Sequence, residues 1–129
     1  MTKYTLAIVG AKFSPPAQGI LSVLPTNAAL VVRREPSNAY DENAMQVLAP
    51  TDDWANAPGV AKLDEACAGY GHSGDDVLAK PEWHLGYIPR QDALLLAPRM
   101  DKAEVREVPG VLTWSAEGAP RVQFEVAEG

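Results

Sequence analysis

The chain has 129 residues, 47% of them apolar and 22% charged, and its net charge is −6. That length and apolar fraction suit one domain with one core, and the acid excess excludes a protein that coats nucleic acid through a broadly basic surface, because phosphate affinity comes mainly from counterions released opposite Lys and Arg. One cysteine, Cys67, excludes an internal disulfide and a cysteine-ligated zinc finger.

The first run, "KYTLAIVG", sets Tyr4, Leu6 and Ile8 against Thr5, Ala7 and Val9 and predicts a strand ending at Gly10. In "AKFSPPAQGILSVLPTNA" the Pro15-Pro16 pair and Gly19 break any clean element, and "ILSVL" reads equally as a short strand or a helical turn. "ALVVRRE" is apolar and β-branched up to Arg33; Pro36 lacks an amide donor and biases Glu35 toward extended geometry, so a strand should stop there. A loop, "PSNAYDENA", follows, and "NAMQVLA" returns to alternation as a further strand. From about 51 to 81 the text is rich in Asp, Gly, Ala and Pro, which predicts a loosely ordered loop insertion with at most a short helix around "VAKLDEACA".

"EWHLGYI" resumes as a strand. "PRQDALLLAPRMD" predicts a helix with Pro89 at its first position, Ala93, Leu94 and Ala97 at helical spacing, "ALLLA" in the core, and Pro98 limiting or kinking its end. "EVREVPGVLTWS" and "PRVQFEVA" are strand-like runs joined by the turn-prone "AEGA", and Trp114 is expected in the core. The sum is a single, mainly β domain over 1–129: a small OB-like barrel of five to six strands, or a strongly bent sheet, with one or two short helices. With no run of eighteen apolar residues and no basic flank or cleavage pattern in "MTKYTLAIVG", the chain is expected to be soluble and cytoplasmic.

Charge is unevenly placed. Residues 1–40 hold four cations against one carboxylate, 41–81 two against eight, and 82–129 five against eight. Such a distribution sets a small positive site on an acidic body, or simply solvates different faces.

Two motifs in order, "LVVRREPSNAYDENAMQV" and "LGYIPRQDALLLAPRMD", together with "IVGAKF" before them, resemble the HIRAN domain family. The family's hallmark runs Arg-Glu-Pro, Asn, Tyr-Asp, Asn-Ala, then Gly-Tyr-(Ile/Val)-Pro and a helix. The likeness spans about residues 6–102, interrupted by the 51–81 insertion. It implies a modified OB-like barrel, found fused to helicase-like ATPases of DNA repair and as stand-alone bacterial and phage proteins, whose best-understood members grip the 3′-hydroxyl end of single-stranded DNA.

Such an end needs cations for one or two phosphates, a flat surface for a base, and an acceptor for the terminal hydroxyl. Lys12, at the family's basic position, and Arg90, near the N-terminus of the predicted helix, are the phosphate candidates; a lysine supplies a point charge where family members often carry the fork of arginine. Phe13 and Tyr40 offer rings, each worth roughly 1–3 kcal/mol to a stacked base, and Phe13 lacks the phenol hydroxyl of tyrosine. Asp41 is assigned to the 3′-hydroxyl, since an ionised carboxylate only accepts and repels a phosphate at the same point. Asn38 either donates to a phosphate or caps its loop, and for Asn43 the loop role is favoured. Arg34 either faces the pocket or pairs with Glu35 or Asp41, and Tyr87 completes the set as a packing residue with a solvated hydroxyl.

The function expected is non-enzymatic binding of single-stranded DNA 3′ ends in DNA repair or replication-fork processing, with a helicase-like ATPase or other repair protein as partner and no cofactor or metal. Cys67, His72, Asp75, Asp76 and His84 are metal ligands or a Cys-His pair only on paper, because the Gly-rich spacing around "GYGHSGDD" gives no rigid face to aim them. The competing expectation, suggested by the acidic balance and by Lys12 and Phe13, is a protein-interaction or regulatory module that keeps the barrel and has lost DNA binding.

Overall fold

The computed structural model describes residues 1–10, 17–67 and 73–128. Six strands, β1 (Thr2–Ala7), β2 (Ala29–Arg34), β3 (Met45–Pro50), β4 (Glu82–Tyr87), β5 (Glu107–Trp114) and β6 (Pro120–Val126), form one antiparallel sheet in the order β1-β6-β5-β2-β3-β4. The alternation read from sequence sets the faces. Tyr4, Leu6 and Ile8 turn inward while Thr5, Ala7 and Val9 are exposed, and Leu30, Val32, Met45, Val47, Leu85, Leu112, Val122 and Phe124 build the core. This is the mainly β, OB-like architecture expected.

The sheet's two outer strands meet beyond the end of β1. Val9 and Tyr87 exchange backbone hydrogen bonds, Val9 N to Tyr87 O at 2.9 Å and Tyr87 N to Val9 O at 2.8 Å. Two local features of β4 bring this about. Its register against β3 slips where Val47 faces Gly86 and Leu48 faces His84, an irregularity that bends a strand and re-aims its end. Gly86 also lies so close to Val9 O and Ile8 Cγ2 that a Cβ would overlap both. Gly86→Ala is therefore expected to force the Val9–Tyr87 bridge apart and to cost about 1–3 kcal/mol of stability, read as a lowered urea midpoint with an unchanged m-value. An unchanged midpoint would mean that the junction contributes nothing to the fold.

Helices cover the sheet, and here the sequence expectations need correction. "ILSVL" is helical, within α1 (Ala17–Val23), which buries Ile20, Leu21 and Val23. The described residues of this segment, 51–67 and 73–81, are not a loose loop. They hold 3₁₀ turns at Thr51–Asp53 and Pro58–Lys62, then α2 (Leu63–Cys67) and α3 (Gly74–Ala79), the last opened by a capping box between Ser73 and Asp76. Trp54, Leu63, Cys67 and Val77 from this segment are buried in the common core, and α1 approaches α2 so closely at Gly19 that a Cβ there would meet Ala66 O and Cys67 Sγ. Apolar burial at irregular intervals, invisible to a periodicity argument, holds the segment down.

The long helix α4 (Arg90–Lys102) starts one residue later than expected, since Pro89 takes extended geometry at the N-cap. It continues through Pro98, whose missing amide falls on the solvent side. Its core face is Ala93, Leu96, Ala97 and Met100; Leu94 and Leu95, expected inside, are 59% and 65% exposed. Trp114 is likewise 37% exposed at the end of β5, where it borders an apolar groove with Ile8, Leu21 and Pro120. No helix among the described residues is long and apolar enough to cross a membrane.

Candidate nucleic-acid interface

Where β2 ends, the Glu-Pro step releases the chain into a loop that its own side chains shape. Asn38 N donates to Glu35 O at 3.1 Å, closing a turn, and Asn38 Oδ1 then accepts from Tyr40 N at 2.9 Å and Asp41 N at 3.1 Å. Asp41 repeats the motif: its Oδ1 accepts from Asn43 N at 2.9 Å. Both are local side-chain-to-backbone turns of the kind Asn and Asp favour. Asn38 thus takes the loop-organising role of its two readings, and Asn43 lends its backbone to the same loop.

Beneath the loop, Glu35 Oε1 accepts from Asn38 Nδ2 at 2.5 Å and from the Tyr87 hydroxyl at 3.1 Å. Tyr87 packs edge-on against His84 with ring centroids 4.7 Å apart. Its hydroxyl is committed to Glu35 instead of to solvent as expected. Burial, reinforced by that hydrogen bond and the neighbouring negative charge, raises the phenol pKa, and burial lowers that of His84.

The loop and the start of α4 form the two walls of a cleft of about 720 Å³, lined among others by Val9, Glu35, Asn38, Tyr40, Asp41, Tyr87 and Arg90. Tyr40 stands at the rim, 89% exposed. Asp41 Oδ2, the oxygen not used by the loop, lies 3.9 Å from Arg90 Nε. That separation and the exposure of Arg90 make the pair weak, so both groups are available to a ligand. Pro89 at the N-cap has no side chain able to cap the start of α4, which leaves the positive end of the helix dipole beside Arg90. A second hollow of about 580 Å³ continues past Tyr40, Asp41 and Arg90 to Gln91 and Leu94.

Of the eight residues predicted to form the site, five therefore share one cleft: Asn38, Tyr40, Asp41, Tyr87 and Arg90. Lys12 and Phe13 lie outside the described residues, as does His72. Arg34 is elsewhere. Its side chain is 3% exposed and its guanidinium donates to Asp101 Oδ1 and Oδ2 at 2.9 and 3.0 Å and to Ala44 O at 2.9 Å; that bidentate grip holds the Asp101 carboxyl below its ordinary range. Arg34 ties the far end of α4 to the end of β2, with Asp101 in place of the expected Glu35 or Asp41. Arg33 is spent on the sheet, between Glu82 and Glu107. Glu35 and Val9 were not predicted to take part. For Glu35 the available signal is its place three residues before Asn38 across a proline turn. Among the described residues no three His, Cys, Asp or Glu side chains converge as metal ligands.

A bent six-stranded antiparallel sheet with a cleft at its loop end is an OB-like fold. The HIRAN domain profile matches residues 3–127, and the chain belongs to the HIRAN domain family, a family of DNA-binding domains. Among solved structures it is similar to a protein from Lactobacillus plantarum, with 18% identity, a TM-score of 0.57, and coverage of 98% of this chain and 100% of that one. It is also similar to the HIRAN domain of human HLTF, with 18% identity, a TM-score of 0.51, and coverage of 95% and 74%. At that identity these two share the fold. A search of curated proteins found no match.

Proposed function

We propose that this chain binds the free 3′-hydroxyl end of single-stranded DNA in the cleft between the Asn38–Asp41 loop and the start of α4. It acts as a non-enzymatic module of repair or fork processing in the cytoplasm, alongside a helicase-like ATPase or other repair protein. The observation that carries this reading is the meeting of Tyr40, Asp41 and Arg90, from a loop and a helix far apart in the chain, around one hollow. At about 720 Å³ the hollow falls in the range of roughly 300–1,000 Å³ typical of sites for small ligands. Asp41 Oδ2 accepts the terminal hydroxyl, Tyr40 offers a ring to a base, and Arg90 with the open helix start meets a phosphate. Lys12 and Phe13 belong to the proposal through the family resemblance.

The test is a fluorescence titration of short oligonucleotides that differ only in a 3′-hydroxyl or a 3′-phosphate. Tighter binding of the hydroxyl end is expected, with log affinity falling by about 0.7 per phosphate contact for each unit of log salt. Equal affinity for the two ends would remove end recognition.

The exposed Leu94 and Leu95 on α4 favour a second reading, a protein-interaction module. Absence of any oligonucleotide binding at low salt, with a defined protein partner lost on Leu94→Glu, would select it.

A further inference from the structure

A carboxylate at the floor of a phosphate-binding cleft calls for an explanation, because it repels the ligand the cleft is meant to hold. Glu35 is such a group. It lines the hollow together with Asp41 and Arg90, and among the described residues its side chain forms no ion pair with a cation. Its Oε1 instead takes two donors, Asn38 Nδ2 and the Tyr87 hydroxyl. Among the described residues, its Oε2 accepts no hydrogen bond.

Two consequences follow from the atoms involved. An Asn amide has one donor end and one acceptor end. With Nδ2 fixed on Glu35, Oδ1 is forced to face Tyr40 N and Asp41 N, which places the ring and the carboxylate of the cleft. Were Glu35 absent, Asn38 would lose the partner that sets its orientation. The Tyr87 hydroxyl, in turn, gives its proton to Glu35 and so presents no donor to an incoming phosphate. The inner end of the cleft is thus closed to anions twice, by a negative charge and by a spent donor, whereas the outer end has Arg90 and the helix start.

We propose that Glu35 is the positioning residue of this cleft and the determinant of which way a strand end enters it, hydroxyl first and phosphate outermost. The polarity part rests on the DNA-end reading; the positioning part does not.

Two variants separate charge from hydrogen bonding. Glu35→Gln keeps an acceptor oxygen for Asn38 and Tyr87 and removes the charge. It is expected to retain binding of a 3′-hydroxyl oligonucleotide while narrowing the preference over a 3′-phosphate by about fivefold. Glu35→Ala removes the anchor. Hydrogen exchange at the Tyr40 and Asp41 amides is expected to accelerate by about tenfold, and 3′-hydroxyl binding to weaken by a similar factor. Circular dichroism on both variants verifies that the barrel is kept. Unchanged end preference in Glu35→Gln, with the parent discriminating between ends, overturns the polarity claim; unchanged amide exchange in Glu35→Ala overturns the positioning claim. If the parent itself binds no oligonucleotide, the DNA-end reading and the polarity claim fall together, and the exchange experiment still decides whether Glu35 holds the loop.

Discussion

Replacing Trp54 with alanine is expected to lower the unfolding free energy by about 3–5 kcal/mol, the usual cost of emptying a large aromatic site in a packed core. Trp54 is 1% exposed and sits in the part of the chain that reads most like a loop. For a domain at the low end of the usual range, about 5 kcal/mol, that loss leaves a substantial unfolded population at room temperature. Urea unfolding checks it, with the expected result a large drop in midpoint. Trp54→Phe is the informative control: the indole N–H has no acceptor among the described residues, so phenylalanine removes volume but also an unpaired donor and should cost less. A Trp54→Ala midpoint equal to the parent's would show that the segment after β3 lies on the core without supporting it.

The second large effect concerns Asp41. Asp41→Ala is expected to weaken binding of a 3′-hydroxyl oligonucleotide by about 10- to 100-fold, the range for a lost hydrogen bond to a charged group. Part of that loss belongs to the loop, because Asp41 Oδ1 also holds Asn43 N. Asp41→Asn separates the contributions, since an amide oxygen still accepts from Asn43 while the charge is gone. Asn is expected to retain most loop order and to reduce or invert the preference for a hydroxyl over a phosphate, because its NH₂ group can now donate. Parallel titrations of both end types with both variants read this out. Undiminished hydroxyl preference in Asp41→Asn would move the acceptor role to another group.

These two residues also mark what a sequence can and cannot reveal here. The Asn38–Asp41 loop was legible because its chemistry is local: Asn and Asp side chains bond to amides two or three positions away, and Pro36 ends the strand before them. The strands were legible because one face of each is buried and the pleat has a period of two. Trp54 follows a 3₁₀ turn, Leu63 and Cys67 stand one turn apart in the short helix α2, and Val77 belongs to α3, so no single period runs through all four, and only their tertiary packing shows that they are core. Three consecutive leucines at 94–96 span more than one side of a helix, so composition alone does not say that Leu96 is the buried one. The partner of Arg34 is 67 residues away in the chain; its nearer carboxylates, Glu35 and Asp41, are engaged by Tyr87 and Asn38, and by Asn43.

The way the segment between β3 and β4 is attached has a consequence for engineering. Thr51 N donates to Pro81 O at 2.9 Å, and Thr51 Oγ1 to Lys80 O, so the excursion leaves and returns through a pinched neck. A neck of that kind lets everything beyond it be swapped for a cassette of another length without pulling the flanking strands out of alignment. The requirement on the graft is hydrophobic, not geometric: it must bring side chains able to fill the volume that Trp54, Leu63, Cys67 and Val77 now occupy, while the Asn38–Asp41 loop, which hangs from a different strand end, keeps its shape.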